Sequence, residues 1–338
     1  MDIQKLETLP PPPGVFGSLK AGFDIVSGRI ALILIPLSLD LFLWLGPRLS
    51  VYKLLSPSAN KLWAQMLQNL SESDLGVISQ RQTLLMEQLQ NFNLLSLLTK
   101  LLWWFPIGVS SLSAQSLPVS NPLGLENAVA VSSIWVLMGV SIVLIPIGWI
   151  VGGVFFRQVS GSVQGENEAG ISLLRSIVQT LILSVLCVVL LTIILIPLSI
   201  VIGLLSLVSS AAASVAVIVV TFFSFWLIVP LFFTPHGIFI RKQNALLSML
   251  SSLRLIRFSL PTSGMFVLSV FILSRGLDIL WSAPESGSWL ALVGFTGHAF
   301  ITTALLAASF VYYRDMSDWL QNVYERFQQL SKKPSSTA

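Results

Sequence analysis

The chain has 338 residues, 54% of them hydrophobic and only 10% charged, with a formal net charge of +4. Soluble domains carry about 25% charged residues, and a chain this apolar cannot clothe itself in a wettable surface. That excludes a soluble globular protein, and the single cysteine, Cys187, excludes an intrachain disulfide and a cysteine-based metal site. The expected fold class is all-α: a polytopic membrane protein with about six transmembrane helices, interfacial amphipathic helices and both termini inside.

Residues 1–28 read as a cytoplasmic N-terminal segment and interfacial helix. Met1 to Gly14 holds Asp2, Glu7 and the prolines Pro10–Pro13. It lacks the basic start and adjoining apolar run of a secretory signal. Six stretches are apolar over the roughly 20 residues that a bilayer requires: Arg29–Leu45, Ala130–Phe156, Leu181–Gly203, Ser214–Phe233, Ser263–Trp281 and Ser288–Tyr312. Residues 46–129 read as an extracytoplasmic helical loop, 130–312 as a five-helix membrane bundle and 313–338 as a cytoplasmic amphipathic helix and tail. Within the loop, Ser56-Pro57-Ser58 predicts a helix start, Ser71 with Asp74 a second, and Leu84, Leu85, Leu89, Phe92, Leu95 and Leu98 recur at helical spacing. Leu94–Leu112 competes as a seventh span, but Lys100, Pro106 and the Trp103-Trp104 pair suit an interfacial or re-entrant segment. Six spans place Arg157, Arg175, Arg241, Lys242, Arg254, Arg257 and Arg314 on one side, which the positive-inside rule makes cytoplasmic. The localisation expected is the plasma (inner) membrane.

Two patterns recur. Ile33-Leu34-Ile35-Pro36-Leu37-Ser38 returns as Ile194-Leu195-Ile196-Pro197-Leu198-Ser199. Amphipathic lead-ins precede the first, third and fifth spans at Ser18–Ser27, Asn167–Thr180 and Gln243–Ser259. Ser209–Ala213 reads as the turn between the third and fourth spans.

Pro230-Leu231-Phe232-Phe233-Thr234-Pro235, then Asn244–Arg257 with Ala245, Leu246, Ser251 or Ser252, Leu253 and Arg254, and finally Val311-Tyr312-Tyr313-Arg314-Asp315, carry a resemblance. They resemble the membrane domain attached to some bacterial glycerophosphodiester phosphodiesterases and its stand-alone relatives of unknown function, over residues 130–318. The phosphodiesterase barrel is absent, so the resemblance implies an architecture and no hydrolase activity.

Ionisable residues inside spans are the first place to look for function. Asp40, Arg275, Asp278 and His298 form the candidate intramembrane cluster, provided all four face inward. The plainer readings are an interfacial contact for Asp40, a local pair of Arg275 with Asp278, and a hydrogen-bonded neutral His298. His236 reads as interfacial, and Gly148 with Gly152 as a helix-packing face. Arg241, Lys242, Arg254 and Arg257 are candidate contacts for anionic lipid headgroups. Ser58-Ala59-Asn60-Lys61 lacks the companion motifs of a serine acylase, and no phosphate loop, dinucleotide fingerprint or zinc motif occurs. No cofactor and no nucleic acid are implied; the partners expected are the bilayer, anionic headgroups and membrane proteins. The leading expectation is a non-enzymatic scaffold, the alternative a transporter or permease for a small or lipid-like solute. A polar cavity reaching the midplane would separate them.

Overall fold

The computed structural model describes residues 11–67, 72–99, 106–116, 122–124, 128–165 and 170–332. Among the described residues, five helices are long and apolar enough to cross a membrane: α6 (Ile134–Gln164), α7 (Leu173–Val208), α8 (Ser210–Ile240), α9 (Ala245–Trp281) and α10 (Ala291–Lys332). A bent pair makes a sixth crossing if it is counted as one span. In it α1 (Val15–Gly28) meets a 3₁₀ turn (Ile30–Ile33) and α2 (Leu34–Leu45) at 96°. The starts of four long helices follow from sequence. Ser133, Ser172, Ser209 and Asn244 each accept a hydrogen bond from the backbone N–H three residues on, capping α6, α7, α8 and α9.

Several local expectations change. Helix α3 (Tyr52–Leu67) begins before Ser56 and carries Pro57 within it. Helix α4 (Glu72–Asn91) ends before Phe92, and Leu94–Leu98 is a 3₁₀ turn, because Asn93 Oδ1 accepts from the N–H of Leu95 and breaks the helical register. Ser71, Lys100, Trp103 and Trp104 lie outside the described residues. The chain leaves and re-enters the bundle through two three-residue strands, β1 (Arg48–Ser50) and β2 (Ala128–Ala130), paired in parallel. With an isolated bridge between Ser50 and Asn93, this is the only strand pairing among the described residues. The turn between α7 and α8 is Ser209 alone. The lead-in before the third span is no separate element: α7 runs unbroken from Leu173, since no proline or glycine interrupts it before Pro197. The lead-in to the fifth span does end at a break. Ser259 leaves helical geometry at φ −127° and ψ 16°, two residues ahead of Pro261.

Helices α6, α7, α8, α9 and α10 pack in a ring, each on the next and α10 back on α6, with α1 and α2 also against α10. Gly22 brings α1 onto α10, since a side chain there would run into Ala304 and Ala308. Two cores result. At one end, here the basic end, Phe156, Phe233, Phe239, Phe266, Phe310, Tyr312 and Tyr313 are buried together. At the opposite end, which carries α3 and α4, Trp44 packs with Leu112, Ala291 and Phe295, and its Nε1–H donates to Ser286 O at 2.7 Å.

Candidate functional site

Residues 106–116 decide the site. They include the short α5 (Leu112–Ser116), and Ile107, Val109, Ser111, Leu112 and Ser113 are buried inside the ring. Irregular backbone at such depth survives only where protein covers it or a cavity takes it in. Glycines make the room. A Cβ at Gly152 would lie 2.9 Å from Gly108 Cα, and one at Gly148 would lie 2.7 Å from Leu98 O. Gly152 therefore receives the inserted segment and Gly148 the 3₁₀ turn at Leu97 and Leu98, so this face packs against neither of the neighbouring long helices, which corrects the sequence reading. Gly108 itself has φ 157°, a conformation that excludes side chains.

Beneath this plug is a cavity of about 340 Å³. Its charged end carries Ser110, Gln115, Ser274, Arg275 and Asp278. Its wall is Phe155, Phe156, Ile228, Phe232, Val267, Val270, Phe271 and Leu305, and its far end is Thr302, Ser309 and His236. On α9 the lining runs from Val267 to Asp278, which at about 1.5 Å per residue is a depth of about 16 Å, half of a bilayer core. The aromatic cluster at the basic end closes the floor: Phe266 stacks on Tyr312 at 4.3 Å, and Phe233 lies 5.7 Å from Tyr312 and 6.2 Å from Tyr313.

Of the four intramembrane candidates, Arg275 and Asp278 line this cavity, while His298 and Asp40 do not line it and are held to it through Asp278 and Ser111. Arg275 Nη1 donates to Gln115 Oε1 at 2.8 Å and lies 3.9 Å from Asp278 Oδ2. Asp278 Oδ1 is 2.8 Å from His298 Nδ1. His298 and Asp40 are both fully buried. Asp40 Oδ1 accepts from Ser111 Oγ at 2.5 Å and from the Ser113 N–H at 2.9 Å. Two polar chains result, Gln115–Arg275–Asp278–His298 and Asp40 with Ser111 and Ser113, and Asp278 and Ser111 bring them to the cavity surface. Asp40 makes no water contact: it is fully buried, with the plug serines Ser111 and Ser113 against it. Among the described residues, no three His, Cys, Asp or Glu side chains gather closely enough to hold a metal.

The chain matches no known protein family, no curated protein and no solved structure. The site must be read from its own geometry.

His236, read from sequence as interfacial, is buried at the cavity's far end, 4.6 Å from the ring of Phe310. Its Nε2 lies 2.7 Å from Ser309 Oγ, a pairing that superficially resembles a nucleophile and its base. Ser309 Oγ is also 2.7 Å from the Leu306 carbonyl, which can only accept. The single hydroxyl proton goes to that carbonyl, so His236 donates through Nε2 and has no lone pair there to act as a base.

The basic residues divide. Arg241 pairs with Asp318. Lys242 occupies the left-handed position that ends α8, at φ 52°, and its carbonyl accepts from Arg175 Nη2 at 2.5 Å. Arg254 and Arg257 are exposed on the first half of α9 beside Leu246, Leu250, Leu253 and Phe258, with Arg257 6.0 Å from the Phe258 ring centre. Sequence reading allowed an interfacial or re-entrant segment over Leu94–Leu112 but did not connect it with Asp40; the signal for that contact was Pro106-Ile107-Gly108 inside an otherwise apolar run, with serines at 110, 111 and 113.

Proposed function

We propose that this is a six-span inner-membrane protein that takes a small amphiphilic, lipid-like solute into its central cavity from the outer side and passes it across the bilayer. Both termini and the Arg241–Arg257 turn are then cytoplasmic, and the plug and excursion face outward. One observation carries the reading: a single space in the ring has a charged, hydroxyl-rich end and an aromatic and aliphatic wall. Ligand sites have this composition, an apolar lining with a few convergent polar groups. A scaffold needs no such volume in its middle. The exposed face of α9 adds a second contact, with Arg254 and Arg257 on anionic headgroups at about 1 kcal/mol per charge. The kinship with the phosphodiesterase-associated membrane domain belongs to the same proposal and supplies architecture only.

Photolabelling tests it. A diazirine-bearing single-chain amphiphile is photolysed with the full chain in lipid nanodiscs. Labelled peptides are expected from the plug, α9 and α10, and Thr302→Trp, which fills the space, is expected to reduce that labelling several-fold. Labelling restricted to the lipid-facing surface and unchanged by Thr302→Trp contradicts the proposal.

A further inference from the structure

Two walls of the cavity continue past the point where the ring closes over it. On α8 the lining residues His236, Phe232 and Ile228 share one face, and helical spacing carries that face toward the plug end through Phe225, Thr221 and Ile218. All three of these are exposed, and between Val188 and Ile228 the α7–α8 hairpin buries Ala213 alone. On α9 the matching edge is marked by Gly264, where a Cβ would lie 3.2 Å from the Phe225 ring. Leu268, Phe271 and Arg275 follow at spacings of four, three and four residues, on the same edge. That edge meets α8 at Gly264 and is exposed beyond it: 48% at Leu268, 40% at Phe271 and 47% for the Arg275 side chain. Val267 is the last buried residue of α9.

The two helices therefore touch as far as Gly264 and part beyond it. Phe271 and Arg275 also line the cavity, so the gap between α8 and α9 leads into it. From Gly264 to Arg275 the edge rises about 16 Å, half of a bilayer core. Its chemistry is divided along that length. Neither α8 nor α9 from Gly264 to Ser274 carries an Asp, Glu, Lys or Arg. Phe225 and Ile218 stand on one side of the gap, Leu268 and Phe271 on the other. Charge on these two helices begins at Arg275, whose Nη1 donates to Gln115 of the plug. An ion is expelled from apolar surroundings of this kind, whereas a hydrocarbon chain finds them much like the lipid it leaves.

We propose that the gap between α8 and α9 is a lateral doorway: the hydrocarbon chain of a bilayer-dissolved amphiphile slides through it into the cavity while the headgroup keeps to the polar end at Arg275 and Gln115. The inference rests on the reading of the cavity as a solute site, and adds the phase that supplies the solute and the helices between which it passes. The bilayer is the source because the gap lies at hydrocarbon depth and neither helix carries a charge below Arg275. A doorway sets how fast the cavity fills, and not how tightly it holds what has entered.

The test uses the full chain in lipid nanodiscs, in a Cys187→Ser background, with the diazirine amphiphile dissolved in the bilayer as probe. Thr221→Cys and Leu268→Cys stand one turn beyond the Phe225–Gly264 contact, and a flexible bismaleimide joins them. The doubly substituted protein, joined and unjoined, is photolysed at increasing times after the amphiphile is incorporated. Joining is expected to slow the appearance of label in the plug and α10 peptides several-fold, and the same treatment of either single-cysteine variant is expected to leave it unchanged. Leu268→Trp, at an exposed position, narrows the gap without a reagent and is expected to slow labelling while the final extent stays the same. An unchanged rate in the joined protein overturns the doorway and leaves the cavity reading standing; where no bridge forms, an unchanged rate in Leu268→Trp does so. Cavity peptides that take no label even in the unjoined protein overturn both.

Discussion

A single methyl group at Gly152 would sit 2.9 Å from the backbone of Gly108 and 3.1 Å from the Ile107 side chain. Gly152→Val is therefore expected to force residues 106–108 away from α6 and to lower stability by about 1–3 kcal/mol, the usual range for overpacking a well-filled interior. Thermal unfolding in detergent checks it, and an unchanged midpoint would contradict the close approach. The candidate residues were legible as types: Asp40, Arg275, Asp278 and His298 stood out because charge inside an apolar run is expensive. What holds them was not legible. For Asp40 it is the plug, whose serines reach it across 71 and 73 residues of sequence, and no periodicity records such a contact.

Among the elements, the long helices were the most legible. Each of the six apolar stretches falls on helix, and Ser133, Ser172, Ser209 and Asn244 mark starts that side-chain chemistry alone would choose. Boundaries set by tertiary contact were lost, including the 3₁₀ turn at Leu94–Leu98 and the two strands. The end of α8 offers a test at this scale. Lys242 holds φ 52°, while the N–H groups of Arg241 and Gln243 both reach Gly237 O at 3.1 Å. This is a helix C-terminus of the kind that glycine fills best. A side chain in that conformation costs about 1–2 kcal/mol, and Lys242→Gly is expected to recover about 1 kcal/mol of it. The carbonyl that accepts from Arg175 is kept. Chemical unfolding that shows the variant less stable would contradict the assignment.

The molecule as a whole is a ring of helices with a plug at one end and an aromatic floor at the other, and the two differ in kind. The plug is irregular backbone held by glycines and by hydrogen bonds to Asp40, whereas the floor is a set of close-packed rings. In the proposed function the polar route into the ring runs from the plug side. Arg241, Lys242, Arg254 and Arg257 lie at the floor end, which in the orientation proposed above is the cytoplasmic one. Access and orientation thus meet in one measurement. Thr302→Cys, in a Cys187→Ser background that removes the only native thiol, places a reporter inside the cavity. A membrane-impermeant maleimide added to intact cells is predicted to label it, and Thr302→Cys combined with Val270→Trp is predicted to resist. Labelling confined to inverted vesicles, or absent from both faces, would contradict an outward-opening solute cavity.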